Sequence, residues 1–449
     1  MIITLLLHAV CVVCIIKITV TITTKVRKER NSVRIGYACL SVAVEGTQIR
    51  TCTRKFASPE RLLSLAGENL AATERMIDYN IQNGISMYRI SSDLVPFGSS
   101  FASALPWDAM HAGQIDRIAQ KIRSSGMRVS MHPGQYTVLN SPDLDVVRRA
   151  IEDLRYHARL LDALKLDGTH KIVLHVGGKY GDTPSALSRF QSVFRDLDHA
   201  ISKRLILEND GSIYRIDEVL ELCNRLGIPA VYDNLHHAIN HADETKSDAD
   251  WVALCRETWR ENDGAQKTHY SQQHPQKTRG AHTDTIAIDA FLDYYHGLSD
   301  LLPDMMLEVK DKNRSAIKCI LCTSPANQHL LETEWGRYKY SVLERSPADY
   351  QALRTLLKDK GCDHAVAFYQ TVERALSLPE DRGRAVNALE HVWGYCSDLA
   401  TPAETRTYQT LRDDYLRGTV SLEKVKRLLY RLSQKYRQDY LLGSYYFTL

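Results

Sequence analysis

Between Asn31 and Asn313, short β-branched or apolar runs alternate with stretches of helical periodicity, and the alternation repeats eight times. The runs are Val33–Cys39, Ser86–Ser91, Met127–Met131, Lys171–Val176, Arg204–Glu208, Pro229–Tyr232, Gln266–Tyr270 and Asp304–Val309. Strands alternating with helices form a parallel sheet with right-handed crossovers. Eight such units in about 280 residues fit an α/β fold of the closed (β/α)8 TIM-barrel type. An open doubly wound sheet is the alternative. It calls for a Gly-rich turn after the first strand, and none follows Val33. Ser58-Pro59, Ser141-Pro142 and Thr183-Pro184 each set an N-cap hydroxyl before a proline suited to the first helical position. From Pro59 to Asn83 the apolar residues Leu62, Leu65, Leu70, Met76, Ile77 and Ile81 follow a helical period, and Gly84 ends the stretch as a C-cap glycine would.

The chain has 449 residues, enough for the barrel and a further domain, and its 44% hydrophobic and 25% charged content excludes a disordered or fibrous protein. With 57 basic and 54 acidic residues, the net charge of +3 sets up no strong global field. Any nucleic-acid binding must come from a local patch. The ten cysteines form no regular framework, which fits free thiols in a reducing compartment. The pairs Cys11/Cys14 and Cys319/Cys322 have no flanking histidine cluster and read as free thiols rather than zinc ligands. No P-loop is present, so ATP is not expected.

Catalytic residues of such barrels come from the C-terminal ends of the strands and the loops just beyond. Polar residues recur at those places: His132, His175, Glu208, Asp233, His236, His269, His282 and Glu308. One such histidine is most often a satisfied structural residue. A carboxylate buried at a strand end, however, is costly unless paired or metal-bound. Three carboxylates and several histidines converging on one rim call for cations between them. Mixed imidazole and carboxylate donors suit Zn2+, Mn2+ or Fe2+ better than Mg2+ or Ca2+. The donors exceed the needs of one ion, so a cluster of two or three is expected, an arrangement suited to in-line attack on phosphate.

Several segments together resemble the UV damage endonuclease family. They are Val33-Arg34-Ile35-Gly36-Tyr37, Tyr88-Arg89-Ile90-Ser91-Ser92-Asp93, His132-Pro133-Gly134-Gln135-Tyr136, His175-Val176-Gly177-Gly178-Lys179, Leu207-Glu208-Asn209-Asp210 and Asp233-Asn234-Leu235-His236-His237. Lys267-Thr268-His269-Tyr270-Ser271, His282-Thr283-Asp284 and the run from Met306 to Lys312 extend the match. The resemblance implies a metal-dependent DNA repair endonuclease on a barrel related to endonuclease IV. It would nick immediately 5′ to UV photoproducts in double-stranded DNA, leaving a 3′-hydroxyl and a 5′-phosphate. It further implies that His132, His175, Glu208, Asp233, His236, His269, His282 and Glu308 are ligands of two or three divalent ions, Mn2+ foremost and Zn2+ or Co2+ as alternatives. Glu208, Lys267 and Glu308 would stand at the chemistry, with Lys267 open to carboxylation. Gln135 and Tyr136 would probe the gap left by flipped nucleotides, with Tyr37 on the same face. After Asp93 this chain reads Val95-Pro96-Phe97-Gly98-Ser99-Ser100 where some members offer a further histidine. Two rival functions use the same residues: a metal-dependent sugar isomerase, for which Gln135 and Tyr136 have no role, and a damage-binding protein that never cuts.

Outside the barrel, expected over 31–325, lie two further segments. Residues 1–24 are mostly Ile, Leu, Val and Thr, followed by Lys25, Arg27, Lys28 and Arg30. This extension, 1–30, reads either as a membrane anchor with its basic flank in the cytoplasm or as a product of a start codon placed too far upstream. The rest of the protein is expected in the cytoplasm. Residues 326–449 lack strand signals. Tyr338-Lys339, the Ser346–Tyr350 run, the Asn387–Tyr395 run and Tyr415-Leu416-Arg417-Gly418 resemble the YbgA-type domain of unknown function. Its final helix carries Leu422, Val425, Leu429, Leu432 and Tyr436 on one face and Lys424, Arg427, Arg431 and Lys435 on another. That stripe reads as a grip on flanking phosphates, a protein contact or a solvated face.

Overall fold

All eight runs become strands in the computed structural model, which describes residues 33–360 and 362–449. They are β1 Ile35–Ala38, β2 Met87–Arg89, β3 Arg128–Ser130, β4 Ile172–His175, β5 Leu205–Glu208, β6 Ala230–Asp233, β7 Lys267–Tyr270 and β8 Asp304–Leu307. The sheet order is β3-β2-β1-β8-β7-β6-β5-β4, with every neighbouring pair parallel. A parallel bridge between Met131 and Ile172 brings β3 to β4 and joins the two edges into a barrel. There Met131 N–H donates to the Lys171 carbonyl at 3.0 Å, and Val173 N–H donates to that of Met131 at 2.9 Å.

One principal helix follows each strand: α1 Pro59–Gln82, α2 Ala112–Ser125, α3 Leu144–Ala163, α4 Thr183–Arg195, α5 Ile216–Leu226, α6 Asp248–Arg256, α7 Ile288–Gly297 and α8 Asn313–Thr323. Ser58 caps α1 as expected. Two other caps differ from expectation. Asp143, not Ser141, caps α3, and Asp182, not Thr183, caps α4. Aspartate caps as well as serine and better than threonine, and in each case it lies within two residues of the expected hydroxyl.

Alternation along the strands sorts their side chains into layers. The lowest layer pairs Arg128 with Asp304 at 3.0 Å. Above it two apolar groups fill the interior: Ala38, Met87 and Met306, and Val173, Ile206 and Val231. At Gly36 a Cβ would lie 1.8 Å from the Met87 carbonyl oxygen, so only glycine lets β1 and β2 approach this closely. The top layer is polar and forms the site described below.

The C-terminal helices are α9 Gln328–Arg345, α10 Pro347–Leu356, α11 Ala365–Ser377, α12 Arg382–Trp393, α13 Pro402–Arg417 and α14 Leu422–Lys435. Leu422, Val425, Leu429 and Leu432 of α14 enter a core with Leu389, Val392, Trp393 and Tyr408. This region packs against the barrel through a buried polar network. Glu334 accepts from Arg337 at 2.7 Å and from the hydroxyls of Tyr369 and Tyr445 at 3.0 Å, and Arg337 reaches Asn83 at the end of α1 at 2.8 Å. Among the described residues no helix is long and apolar enough to cross a membrane. Residues 1–30, with Cys11 and Cys14, lie outside the described residues. Cys319 and Cys322 are free thiols.

Candidate active site

Glu208 stands at the end of β5, 1% exposed, with histidines on both of its oxygens. His269 Nδ1 lies 2.8 Å from Oε1, and His132 Nε2 lies 3.1 Å from Oε2. His236 Nδ1 is 3.7 Å from Oε1, and His175 Nε2 is 3.9 Å from Oε2. Glu308 follows β8 and faces the same centre, its Oε1 3.4 Å from His269 Nδ1 and its Oε2 3.9 Å from His282 Nδ1. Asp233, at the end of β6, caps the one-turn helix Asn234–Ile239 and so turns His236 back toward it, at 3.9 Å. All eight residues expected on the rim therefore meet in one cluster.

Burial opposes charge on these groups, and their neighbours decide the outcome. For Glu208 the penalty is outweighed by His269, His132 and His175, which hold its carboxyl well below the usual range. Burial and the nearby Glu208 and Glu308 raise the Asp233 carboxyl to about 7, although His236 pulls the other way. Burial disfavours charge on His236, but Asp233 and Glu208 raise it to about 9. His132 is lowered to about 4, chiefly by burial. Burial together with Arg89 and Arg128 lowers Lys267 to about 7, and its Nζ donates to Ser130 Oγ across the barrel at 2.9 Å.

Three site residues escaped the sequence reasoning. Arg89, an inward residue at the end of β2, pairs with Glu308 at 2.5 Å and outweighs the burial penalty on that carboxyl. Asn209 accepts the Asp233 amide proton at 2.9 Å, and its carbonyl lies 2.9 Å from His236 Nδ1. Ser130 holds Lys267. A charged side chain at an inward strand position was the available signal for Arg89; the other two depend on cross-strand register.

Tyr37 does not reach the rim. It points outward from β1, is fully buried, and donates to Asn80 of α1 at 2.8 Å. The period of two that sends Gly36 and Ala38 inward sends Tyr37 to the helix layer, so its expected place on the probing face is corrected. Gln135 and Tyr136 are exposed, Tyr136 by 83%. They line a cavity of about 1100 Å3 that runs from His132 past Leu40, Phe97 and Tyr180.

The donor set fits metal ions. Ligand atoms of His132, His175 and Glu208 lie within 4.8 Å of one another, as do those of Glu208, Asp233 and His269. Asp233 Oδ2, His269 Nε2 and His175 Nδ1 are buried with no hydrogen-bond partner among the described residues. Such orphaned atoms are costly unless something binds them.

The family described as UV-endonuclease UvdE matches residues 33–328, every strand and every rim residue included. The chain belongs to this family. A second family, described as protein of unknown function (DUF1722), matches residues 339–449. A UV DNA damage endonuclease of Clostridium perfringens (strain 13 / Type A) is 35% identical over 416 residues, covering 89% of this chain and all of that protein. One of Bacillus pumilus (strain SAFR-032) is 32% identical over 299 residues, 64% of this chain and 92% of its own. The crystal structure of SacUVDE superposes with a TM-score of 0.60 at 35% identity, covering 64% of this chain and 96% of that one. Family membership makes this a DNA repair endonuclease of the UV damage response.

Proposed function

We propose that this chain is a metal-dependent endonuclease that incises double-stranded DNA immediately 5′ to UV photoproducts, leaving a 3′-hydroxyl and a 5′-phosphate. The observation that carries the reading is Glu208, shared by two separate donor groups at the centre of the rim. His132 and His175 with Glu208 would hold one ion, and Asp233 and His269 with Glu208 a second. His236, His282 and Glu308 would complete the shell and leave donors enough for a third. The mixed imidazole and carboxylate donors suit Mn2+ first, with Zn2+ or Co2+ as alternatives. When bound, such ions supply an acidified water and neutralise charge on the scissile phosphate.

The chain's own groups prepare the site. Arg89 keeps Glu308 ionised, and the histidines keep Glu208 ionised, so both carboxylates are ready as ligands. Lys267, lowered to about 7, has a substantial neutral fraction at neutral pH, the form that can add CO2, which supports the carboxylated lysine the family resemblance implies. Photoproducts weaken stacking and reduce the cost of flipping. Gln135 and Tyr136, exposed beside a cavity that His132 also lines, would fill the vacated stack. Acting on chromosomal DNA, the enzyme works in the cytoplasm, and the boundary between barrel and helical domain lies near Ala326.

The test is incubation with a UV-irradiated, end-labelled duplex with and without Mn2+. A nick on the 5′ side of the lesion, only with metal and ending in a 3′-hydroxyl, is expected. Strands left intact under Mn2+, Zn2+ and Co2+ alike overturn the reading.

A further inference from the structure

The loop carrying His282 is not held by barrel residues alone. It leaves β7, passes through His282 and ends at Ile288, where α7 begins. Ala287 stands at the N-cap of α7 and has no side chain to cap it. Alanine is among the poorest N-cap residues, and a helix start needs acceptors for its first amides.

The missing acceptor comes from the C-terminal region. Both carboxylate oxygens of Glu373, on α11, lie 3.2 Å from the amide nitrogen of the buried Ile288. Lys318 of α8, 3% exposed, donates to Glu373 Oε1 at 2.6 Å. The same ammonium donates to Thr285 Oγ1 at 3.1 Å and to the Ile286 carbonyl. Gln370, on the previous turn of α11, donates to Asp289 Oδ1 at 2.7 Å. On the other side, the amides of Lys310 and Asp311 donate to the carbonyls of Thr283 and Asp284 at 3.2 and 3.0 Å. The barrel also holds the segment from within, with the amides of Thr283 and Ala287 donating to Gln272 at 2.9 and 2.7 Å and that of Ile286 to Ser315 Oγ at 3.0 Å. His282 thus sits on a short segment tied to the barrel at its near end and braced by α11 where α7 begins.

We propose that the C-terminal region clamps the His282 loop, with Glu373 as a positioning residue that caps α7 from about 85 residues away in sequence. The proposal rests on the reading of His282 as a metal ligand. Glu373 touches no reacting atom; it fixes where His282 stands.

Removing Glu373 alone would strand the buried Lys318 ammonium, so the test pairs Glu373→Leu with Lys318→Met. A second variant adds Ala287→Ser, which restores a cap within α7, and His282→Ala is the control. Amide hydrogen exchange on the full-length protein is the first readout. Exchange at Ile288 should rise about tenfold in the paired variant, while Ile286, whose amide donates to Ser315 Oγ at 3.0 Å, and the strand amides stay unchanged. Ala287→Ser should return it toward wild type. The second readout is the visible spectrum of the Co2+-loaded protein, which should shift toward that of His282→Ala. Exchange within about twofold of wild type and an unmoved spectrum overturn the clamp. If the paired variant does not fold, Glu373→Asp, which keeps a charge for Lys318 but withdraws the carboxylate from the Ile288 amide by one methylene, carries the same test, with unchanged exchange at Ile288 again overturning it. A His282→Ala spectrum identical to wild type overturns the ligand reading itself, and the exchange result still decides whether the clamp exists.

Discussion

Glu208→Gln is the most exposing substitution at this site. The amide keeps the shape and one carbonyl oxygen, but it replaces the other oxygen with an NH2 group that cannot ligate a cation. One of the contacts at 2.8 Å to His269 or 3.1 Å to His132 then has a donor where it had an acceptor. One unit of negative charge leaves a centre that is 1% exposed. A unit charge about 4 Å from its partner, in a surrounding of effective dielectric about 20, is worth about 4 kcal/mol. That corresponds to about 10³-fold in affinity or rate. Metal retention and incision rate should therefore fall together by about 10³-fold or more. The metal-free fold should hold but melt lower, because the amide keeps the volume while the histidines that hold the Glu208 carboxyl ionised lose their charged partner. Metal content after gel filtration and single-turnover incision of an irradiated duplex give the two numbers, and a melting curve gives the third. Full metal content with a rate within tenfold of wild type would remove Glu208 from the centre. Full metal content with a collapsed rate would make it a base rather than a ligand.

Recognition should separate from chemistry in Gln135→Ala combined with Tyr136→Ala. Base stacking on an aromatic is worth about 1–3 kcal/mol, so the preference for damaged over undamaged duplex should fall about 5- to 150-fold at unchanged metal content; an equilibrium titration showing the same preference refutes the probe. Arg89→Met leaves Glu308 without its 2.5 Å partner. Breaking a buried pair from one side costs about 3–5 kcal/mol, and a denaturant midpoint showing less than about 1 kcal/mol in the metal-free protein contradicts the pairing. Metal loading should also release protons, because His236 is raised to about 9 by Asp233 and Glu208 and is protonated at pH 7.5 in the empty centre. Only the deprotonated ring can ligate, so affinity should weaken as pH falls from 9 to 6. Calorimetry in two buffers of different ionisation enthalpy checks this, and a heat independent of buffer rules it out.

The barrel was legible because its signal is local and repeated. Each strand is a short β-branched or apolar run, and the rim residues are polar side chains at the ends of such runs or in the segments just beyond, as His236 and His282 are. Where two neighbouring residues, one or two apart, compete for one role, the pattern is weaker. Ser141 and Asp143 both suit a cap, as do Thr183 and Asp182, and the geometry chose the aspartates. Tyr37 was misplaced because a motif gives a residue's position along a strand but not its side of the sheet. Counting by two from Ala38 would have turned it outward. Arg89 obeys the same count in the other direction and was readable from Met87, its inward neighbour two residues before. Ser130 and Lys267 touch only because β3 and β7 face each other across the barrel.

The C-terminal helices show where such reading stops. The stripe of Lys424, Arg427, Arg431 and Lys435 is exposed as its spacing implied, yet Lys435 lies 2.7 Å from Glu404 and Arg427 lies 3.5 Å from Glu423. Exposed pairs are worth little, so neither pairing prevents an exchange of partner for phosphate. Lys426, in the same helix, turns inward to Glu344 at 2.8 Å and is lost to any such surface. Helical period separates the outer face from the inner one, but it is silent about contacts between regions. Glu373 and Gln370 belong to no motif and carry no pattern, and their partners are 55 to 85 residues away. Their tie to the barrel follows from an absence at the other end, since α7 begins on an alanine that cannot cap it. A helix start without its own acceptor, directly after a loop bearing a site histidine, requires one from elsewhere in the chain. In this protein the fused helical region provides it.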